Sequence, residues 1–281
     1  MSRKCAYCQV ELNGSNKSLE HIFPQWLLKF IDAEKQRFSN QAFMADGSQG
    51  RKRKPIGKTL VTKVCEKCNN SWLSHIDNSC KELVEDLASE GTWAENLFER
   101  HPIQSQKFST FLYKIGCNYL TSMEFSSKLA RYPLDFFNTK KPAPATVFFA
   151  SRFCLPAKVY IDHSGSVIFG NVPIEDQKML PEQNVRDLVS QSPRPFKVLI
   201  QFGHAAFVVA NRGAFEGPLV YDPTLLLPIE RYSKEEVCES VSAIPLQSHH
   251  LGPGDTISKR LLDSIEVSWG SNKAKILGGH T

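Results

Sequence analysis

No stretch of this sequence stays apolar for the roughly 18–20 residues that a helix needs to cross a bilayer, so no membrane-spanning segment is expected. The opening residues, MSRKCAYC, lack the apolar core of a secretory leader, and a cytoplasmic protein is expected. Internal repeats and low-complexity tracts are also missing, which argues against a solenoid or a disordered chain. The C-terminal half has no glycine-rich phosphate loop and no recognisable nucleic-acid motif. The balance is that of an ordinary globular protein. With 41% hydrophobic and 22% charged residues over 281 positions, the chain has material for one large domain or two moderate ones.

The charge is small in total, +5, but unevenly placed. Between Met1 and Cys80 there are 13 lysines and arginines against 7 acids, a net of +6, and the remainder carries −1. A local positive field concentrates polyanions, so this end is expected to meet nucleic acid. It also holds five of the eight cysteines, four of them in two Cys-x-x-Cys pairs: Cys5 with Cys8, and Cys65 with Cys68. In a reducing compartment such pairs point to metal before disulfide. Four thiolates in two chelating pairs suit a closed tetrahedral zinc, and polar flanks fit poorly with cysteines buried merely as small apolar residues. Cys80, Cys117, Cys154 and Cys238 lack the spacing and are expected to be ordinary thiols.

Along the chain, Leu19–Phe23 predicts a short strand, and Pro24 opens a helix over Gln25–Ala33 with Trp26, Leu27, Phe30 and Ile31 on one face. Residues 34–58 read as a solvated loop, with Arg51, Lys52, Arg53 and Lys54 as four consecutive positive charges. Thr59–Val64 is β-prone, and a helix is expected from Cys68 through Ile76. Further helices are expected over 79–98 and 104–124, the second with an amphipathic stripe. Pro133, Pro142 and Pro144 mark a connection, after which β-branched and aromatic runs predict strands. Hairpin turns are expected at His163–Gly165 and at Gly203–His204, a short helix at Glu182–Ser190, and a helix, or a helix then a strand, at Thr256–Val267. The fold class is therefore α+β. A zinc-stabilised segment (1–80) leads into connecting helices (81–140) and a β-rich part (141–281) whose role, whether specificity or sensing, is open.

Cys5-x-x-Cys8, Glu20-His21-Ile22-Phe23-Pro24 and Cys65-x-x-Cys68-Asn69-Asn70 together resemble the zinc-clamped HNH endonucleases, over roughly residues 5–78. The resemblance implies a ββα-metal core: two short strands, a helix and a divalent ion between them. It implies that His21 is the general base on the attacking water, and that Glu20 and Asn69 ligate the catalytic ion, with Asn70 as a second candidate. It also implies an asparagine that orients the base; Asn40 is the only asparagine between Pro24 and Cys65.

The chemistry agrees with those residue types. An imidazole ordinarily titrates close enough to neutrality to take a proton from water. Oxygen ligands suit Mg²⁺ or Mn²⁺, apart from the zinc held by sulfur. Neighbouring residues of an extended segment point to opposite sides, so Glu20 and His21 share one site only if the chain turns there or the metal sits at the edge. His75 and Asp77 lie further along the helix and are weighed as surface or capping residues. Arg51–Lys54 are candidate phosphate contacts, which would position a strand without reading its sequence.

The expected activity is thus metal-dependent hydrolysis of DNA phosphodiesters, in defence or on mobile-element DNA. DNA is placed ahead of RNA as partner. The alternatives are a non-catalytic zinc-dependent nucleic-acid-binding protein and an RNA-directed nuclease. A homo-oligomeric or regulatory contact through the C-terminal part is left open.

Overall fold

The computed structural model describes residues 4–273 other than 36, 44–48, 56–59, 92–96, 123–130, 156, 165–168, 171–173, 178–193, 230–254, 269–270 and 272. Near the N-terminus, strand β1 (Lys17–His21) and helix α1 (Gln25–Phe30) precede a two-stranded antiparallel ribbon, β2 (Arg37–Phe43) with β3 (Gln49–Pro55). Strand β4 (Leu60–Cys65) then returns antiparallel to β1, from Lys17 opposite Cys65 to His21 opposite Leu60. The chain coils at once into α2 (Glu66–Cys68), a π-helical turn (Asn69–Leu73) and α3 (Ser74–Ser79). Cys65 starts that helix, its sulfur accepting the Cys68 N–H, one of the first-turn donors that has no partner inside the helix.

Four helices follow: α4 (Lys81–Glu90), α5 (Leu97–Arg100), α6 (Pro102–Ser122) and α7 (Arg131–Thr139). The rest is built on strands β5 (Thr146–Ser151), β6 (Val159–Ser164), β7 (Phe169–Gly170), β8 (Phe196–Phe202), β9 (Ala205–Asn211), β10 (Leu219–Tyr221), β11 (Leu226–Pro228) and β12 (Ile265–Ser268). Helix α8 (Ile174–Gln177) follows β7, and α9 (Asp255–Asp263) precedes β12. Five of the strands form a sheet in the order β11-β5-β9-β8-β6, and β10-β12-β7 form a second. The architecture is mixed α+β, and its four-cysteine group lies at the N-terminal end. Among the described residues no helix is long and apolar enough to cross a membrane.

Every residue of β8 and β9 is buried, so the five-stranded sheet is covered on both faces. The period-2 alternation of a strand sorts them. Val198, Ile200, Phe202, Phe207 and Val209 join a core that also holds Leu27, Leu28 and Leu73 of the N-terminal segment. Leu199 and Val208 face the other way, toward Leu261, Leu262 and Ile265 around α9. Helix α6 lies at the centre of the larger core. The sequence predicts an apolar stripe on it, whereas all residues from Phe111 to Leu120 are buried. The reason is position: α6 has neighbours on several sides, so its whole girth leaves water. Phe108 meets Phe207 edge to face at 5.0 Å, and Tyr113 meets Phe136 likewise at 5.0 Å. Each such ring contributes about 1.5–3 kcal/mol by burial.

Other expectations are corrected. The solvated loop at 34–58 contains the β2–β3 ribbon, with Asn40 opposite Lys52 and Arg51–Lys54 opposite Gln41–Phe38. Ladder hydrogen bonds use main-chain groups that every residue but proline carries, so a ribbon of polar residues leaves no apolar rhythm to read. Pro133 does not mark a connection but sits in the first turn of α7, where a missing N–H is harmless. Among the described residues β6 and β7 do not pair: β6 pairs with β8, and Phe169–Gly170 pairs in parallel with β12, while 165–168 lie outside the described residues. Gly203–His204 does turn a tight hairpin, Phe202 opposite Ala205. Its Gly203 has φ +55°, and a Cβ there would stand 2.1 Å from the Ala88 carbonyl oxygen at the end of α4. Thr256–Val267 is a helix and then a strand. Glu182–Ser190 lies outside the described residues.

Candidate functional site

The strand pair β1–β4 and the helix that follows bring the two cysteine pairs together. The sulfurs of Cys5, Cys8, Cys65 and Cys68 lie within 4.8 Å of one another, with Cys8 and Cys65 at 3.6 Å. Four thiolates about 2.3 Å from a tetrahedral ion stand roughly 3.8 Å apart, so the cluster fits a zinc ion with little adjustment. The Cys65 N–H points at the Cys5 sulfur at 3.3 Å and the Cys68 N–H at the Cys65 sulfur at 3.4 Å. Such donors stabilise negative sulfur. A hydrogen bond from Cys68, opposed by burial, draws the Cys5 thiol down to about 4. This group could hold a structural metal such as zinc. Cys80 and Cys117 are buried elsewhere and Cys154 is half-buried; Cys238 lies outside the described residues.

The loop carrying Cys5 and Cys8 is held from behind by aromatic rings. Tyr7 is fully buried and meets Trp72 edge-on at 5.2 Å, and Trp72 meets Phe136 of α7 at 5.1 Å. The Lys140 ammonium stands 4.1 Å from the Trp72 ring centre and 3.8 Å from that of Phe137.

Glu20 and His21 diverge, as alternation along a strand requires. A bulge interrupts the β1–β4 pairing between Ser18 and Glu20. Beyond it, the Glu20 carboxylate is 5% exposed and turned toward α6. Its Oε1 receives the Lys114 ammonium at 2.7 Å and the Asn118 amide at 2.9 Å. His21 is half-buried, with its Nε2 3.0 Å from the Gln25 amide nitrogen in the first turn of α1. An amide nitrogen donates, so His21 Nε2 is the acceptor in this contact.

Asn69 opens the π-helical turn and reaches back to the bulge, its Nδ2 donating to Ser18 Oγ at 2.7 Å and to the Leu19 carbonyl at 3.3 Å. One-turn π segments recur at functional sites. Asn70 and His75 are exposed. The structure therefore brings the helix start and the bulge of β1 together at Asn69, while Glu20 and His21 take opposite sides of the strand. Arg51–Lys54 lie on β3, away from these contacts in sequence, and Asn40 lies on β2.

Two residues of α6 complete this neighbourhood, and sequence reasoning passed over both. Lys114 bridges Glu20 and Asp77, the latter at 2.6 Å. Asn118, one turn on, donates to Glu20 and also to the His21 carbonyl at 3.1 Å, and accepts the Tyr7 hydroxyl at 2.5 Å. Both polar residues are buried, at 1% and 0% exposure. Their signal in the sequence is two polar residues four apart inside an apolar helix, since buried polar groups need partners.

Burial works against the Lys114 charge, but Asp77 and Glu20 outweigh it and hold the ammonium above its ordinary pKa. Burial pushes the Asp77 carboxyl up to about 6 against the pull of Lys114, with Glu20 adding to the rise. The folded protein then keeps on Asp77 a proton that the unfolded chain, at an ordinary 3.8, has lost. The stability from this group is full below that value and disappears as pH rises through about 6. Asp77→Asn should remove this slope. In urea unfolding between pH 4.5 and 7 the wild-type minus variant difference should fall by on the order of 2 kcal/mol. A difference independent of pH would show that Asp77 stays ionised throughout.

Comparison with protein-family models, with curated proteins and with solved structures finds no match to this chain.

Proposed function

We propose that the chain is a metal-dependent endonuclease acting on DNA, in which a zinc-held strand–strand–helix unit presents His21 as the general base. The observation that carries this reading is the juxtaposition of β1, β4 and the helix from Glu66, clamped by four cysteines and tied at its centre by Asn69 to the strand that ends in His21. His21 would take a proton from the attacking water at Nε2, with Gln25 yielding to that water. Asn69, its Nδ2 directed to β1, would offer its amide oxygen to a divalent ion, while Glu20, turned to the other side of the strand and paired with Lys114, would brace the strand from behind. Mg²⁺ commonly takes few protein ligands and completes its shell with water and phosphate oxygens, which suits so sparse a donor set. Such an ion would supply charge neutralisation at the scissile phosphate. The excess positive charge before Cys80, with Arg51, Lys52, Arg53 and Lys54 as its densest run, would hold the backbone.

One observation favours a second reading, a zinc-dependent nucleic-acid-binding protein without catalysis. Glu20 is already paired with Lys114 and Asn118, so its charge is answered within the protein.

The same assay separates the two. Supercoiled plasmid should be nicked with Mn²⁺ or Mg²⁺, and His21→Ala should slow this by about 10²–10⁴-fold while leaving DNA binding intact. Binding without nicking in any divalent metal would establish the second reading. Cleavage undiminished in His21→Ala would remove His21 from the chemistry, and a preference for RNA in parallel reactions would reassign the substrate.

A further inference from the structure

Asn118 has an unusual set of duties for a residue with no exposure at all. Its side-chain N–H groups go to the Glu20 carboxylate and to the main-chain carbonyl of His21, at 2.9 and 3.1 Å. Its oxygen takes the Tyr7 hydroxyl at 2.5 Å. These three partners come from the cysteine loop, from the strand and from the strand's last residue, and the amide itself stands on a helix about a hundred positions away in sequence. A carboxamide in this pose has both donors engaged and its plane fixed.

We infer that Asn118 is the positioning residue for His21, and that Tyr7 sets Asn118. The inference rests on the endonuclease reading above. His21 is the last residue of β1 and is followed by Ile22 and Phe23, both buried, before the chain turns at Pro24 into α1. Holding the His21 carbonyl fixes the peptide plane between His21 and Ile22. That plane decides both the direction in which the imidazole leaves the strand and where Gln25 meets it. No residue of the β1–β4 pair needs to do this, because the restraint comes from outside it. The inward turn of Glu20 belongs to the same device: its carboxylate receives the other N–H of the amide, so one side chain orients two consecutive residues of the strand. Tyr7, between Cys5 and Cys8, makes the arrangement depend on the cysteine loop keeping its shape. The metal clamp therefore acts on His21 at a distance, through two hydrogen bonds.

The test uses the full-length zinc-loaded chain in three forms: wild type, Asn118→Ala and Tyr7→Phe. NMR of the His21 ring is followed across pH, beside plasmid nicking with Mn²⁺. Asn118→Ala should lower kcat about 10²-fold with KM nearly unchanged, the loss expected when a catalytic group is displaced by about 1 Å. It should also move the His21 ring signals and their titration midpoint. Tyr7→Phe should shift both in the same direction by less, at unchanged zinc content, and it decides the matter if Asn118→Ala does not fold. Ring signals and a pH–rate profile identical to wild type in the variants would overturn the inference. So would a loss of rate that disappears on cooling while His21 titrates normally, which marks a residue that only stabilises the fold. If the wild type nicks no DNA, the endonuclease reading fails, and the ring signals alone still decide whether Asn118 positions His21.

Discussion

Stripping the metal from Cys5, Cys8, Cys65 and Cys68, by chelation or by Cys65→Ser, should melt the segment from β1 to α3 while β8 and β9 stay folded. A two-stranded pair such as β1–β4 is marginal by itself, and the segment around it is short and polar. A structural zinc contributes an apparent 10–16 kcal/mol at neutral pH in small domains of this kind, far more than the packing of a few side chains returns. Some packing remains: Leu27, Leu28 and Leu73 share the core of α6, so loss of metal should loosen that helix as well. Hydrogen exchange provides the check. Protection should vanish across β1, β4 and the helix to Ser79 and persist in β8 and β9, whose residues are buried throughout. Retained protection in β1 and β4 after complete metal removal, or a chain that binds no zinc, would contradict the expectation.

Lys114→Met should destabilise the zinc-loaded protein by about 3–5 kcal/mol, because it leaves the buried Glu20 and the largely enclosed Asp77 carboxylates with no counter-charge. Glu20 and Asp77 meet the same ammonium at 2.7 and 2.6 Å, and the ammonium is 1% exposed. Most of the loss comes from the stranded acids and not from the missing attraction. Adding Glu20→Gln and Asp77→Asn to the lysine variant should therefore recover much of it, since neutral amides need less hydration than carboxylates. Urea denaturation of the single and triple variants measures this. A loss below about 1 kcal/mol for Lys114→Met would mean that water reaches the cluster and screens it.

Much of the N-terminal geometry was legible in the sequence because its signals are local and chemical. Two Cys-x-x-Cys pairs predict a four-sulfur cluster at any spacing the chain can close, and the β-prone run before Cys65 with a helix after it is a short-range pattern. Alternation set the condition under which Glu20 and His21 could share a site, and the structure does not meet it: Glu20 turns to Lys114 and Asn118, His21 to Gln25. What could not be read is the far side of each contact. Glu20 looks like a free acid until Lys114 and Asn118 arrive from α6, and nothing in the spacing announces a partner 98 positions away. The β2–β3 ribbon was lost for a different reason: pattern reading detects strands by the face they bury, and main-chain pairing has no side-chain code. For α6 the apolar positions were read correctly, but a stripe and a fully enclosed helix differ only in what surrounds them.

The enclosure of α6 bears on what can be transplanted. One face of the helix supplies Lys114 and Asn118 to the cysteine-bearing segment, and Phe108 and Phe111 meet Phe207 and Phe202 of the sheet. A graft that ended at Cys80 would carry the sulfur ligands and His21 into a new host but leave behind the ammonium that answers Glu20 and the amide that holds His21. The smallest portable unit thus extends through α6. That helix needs a wall against its sheet-facing side, so a recipient protein must offer an apolar surface of its own in place of β8 and β9.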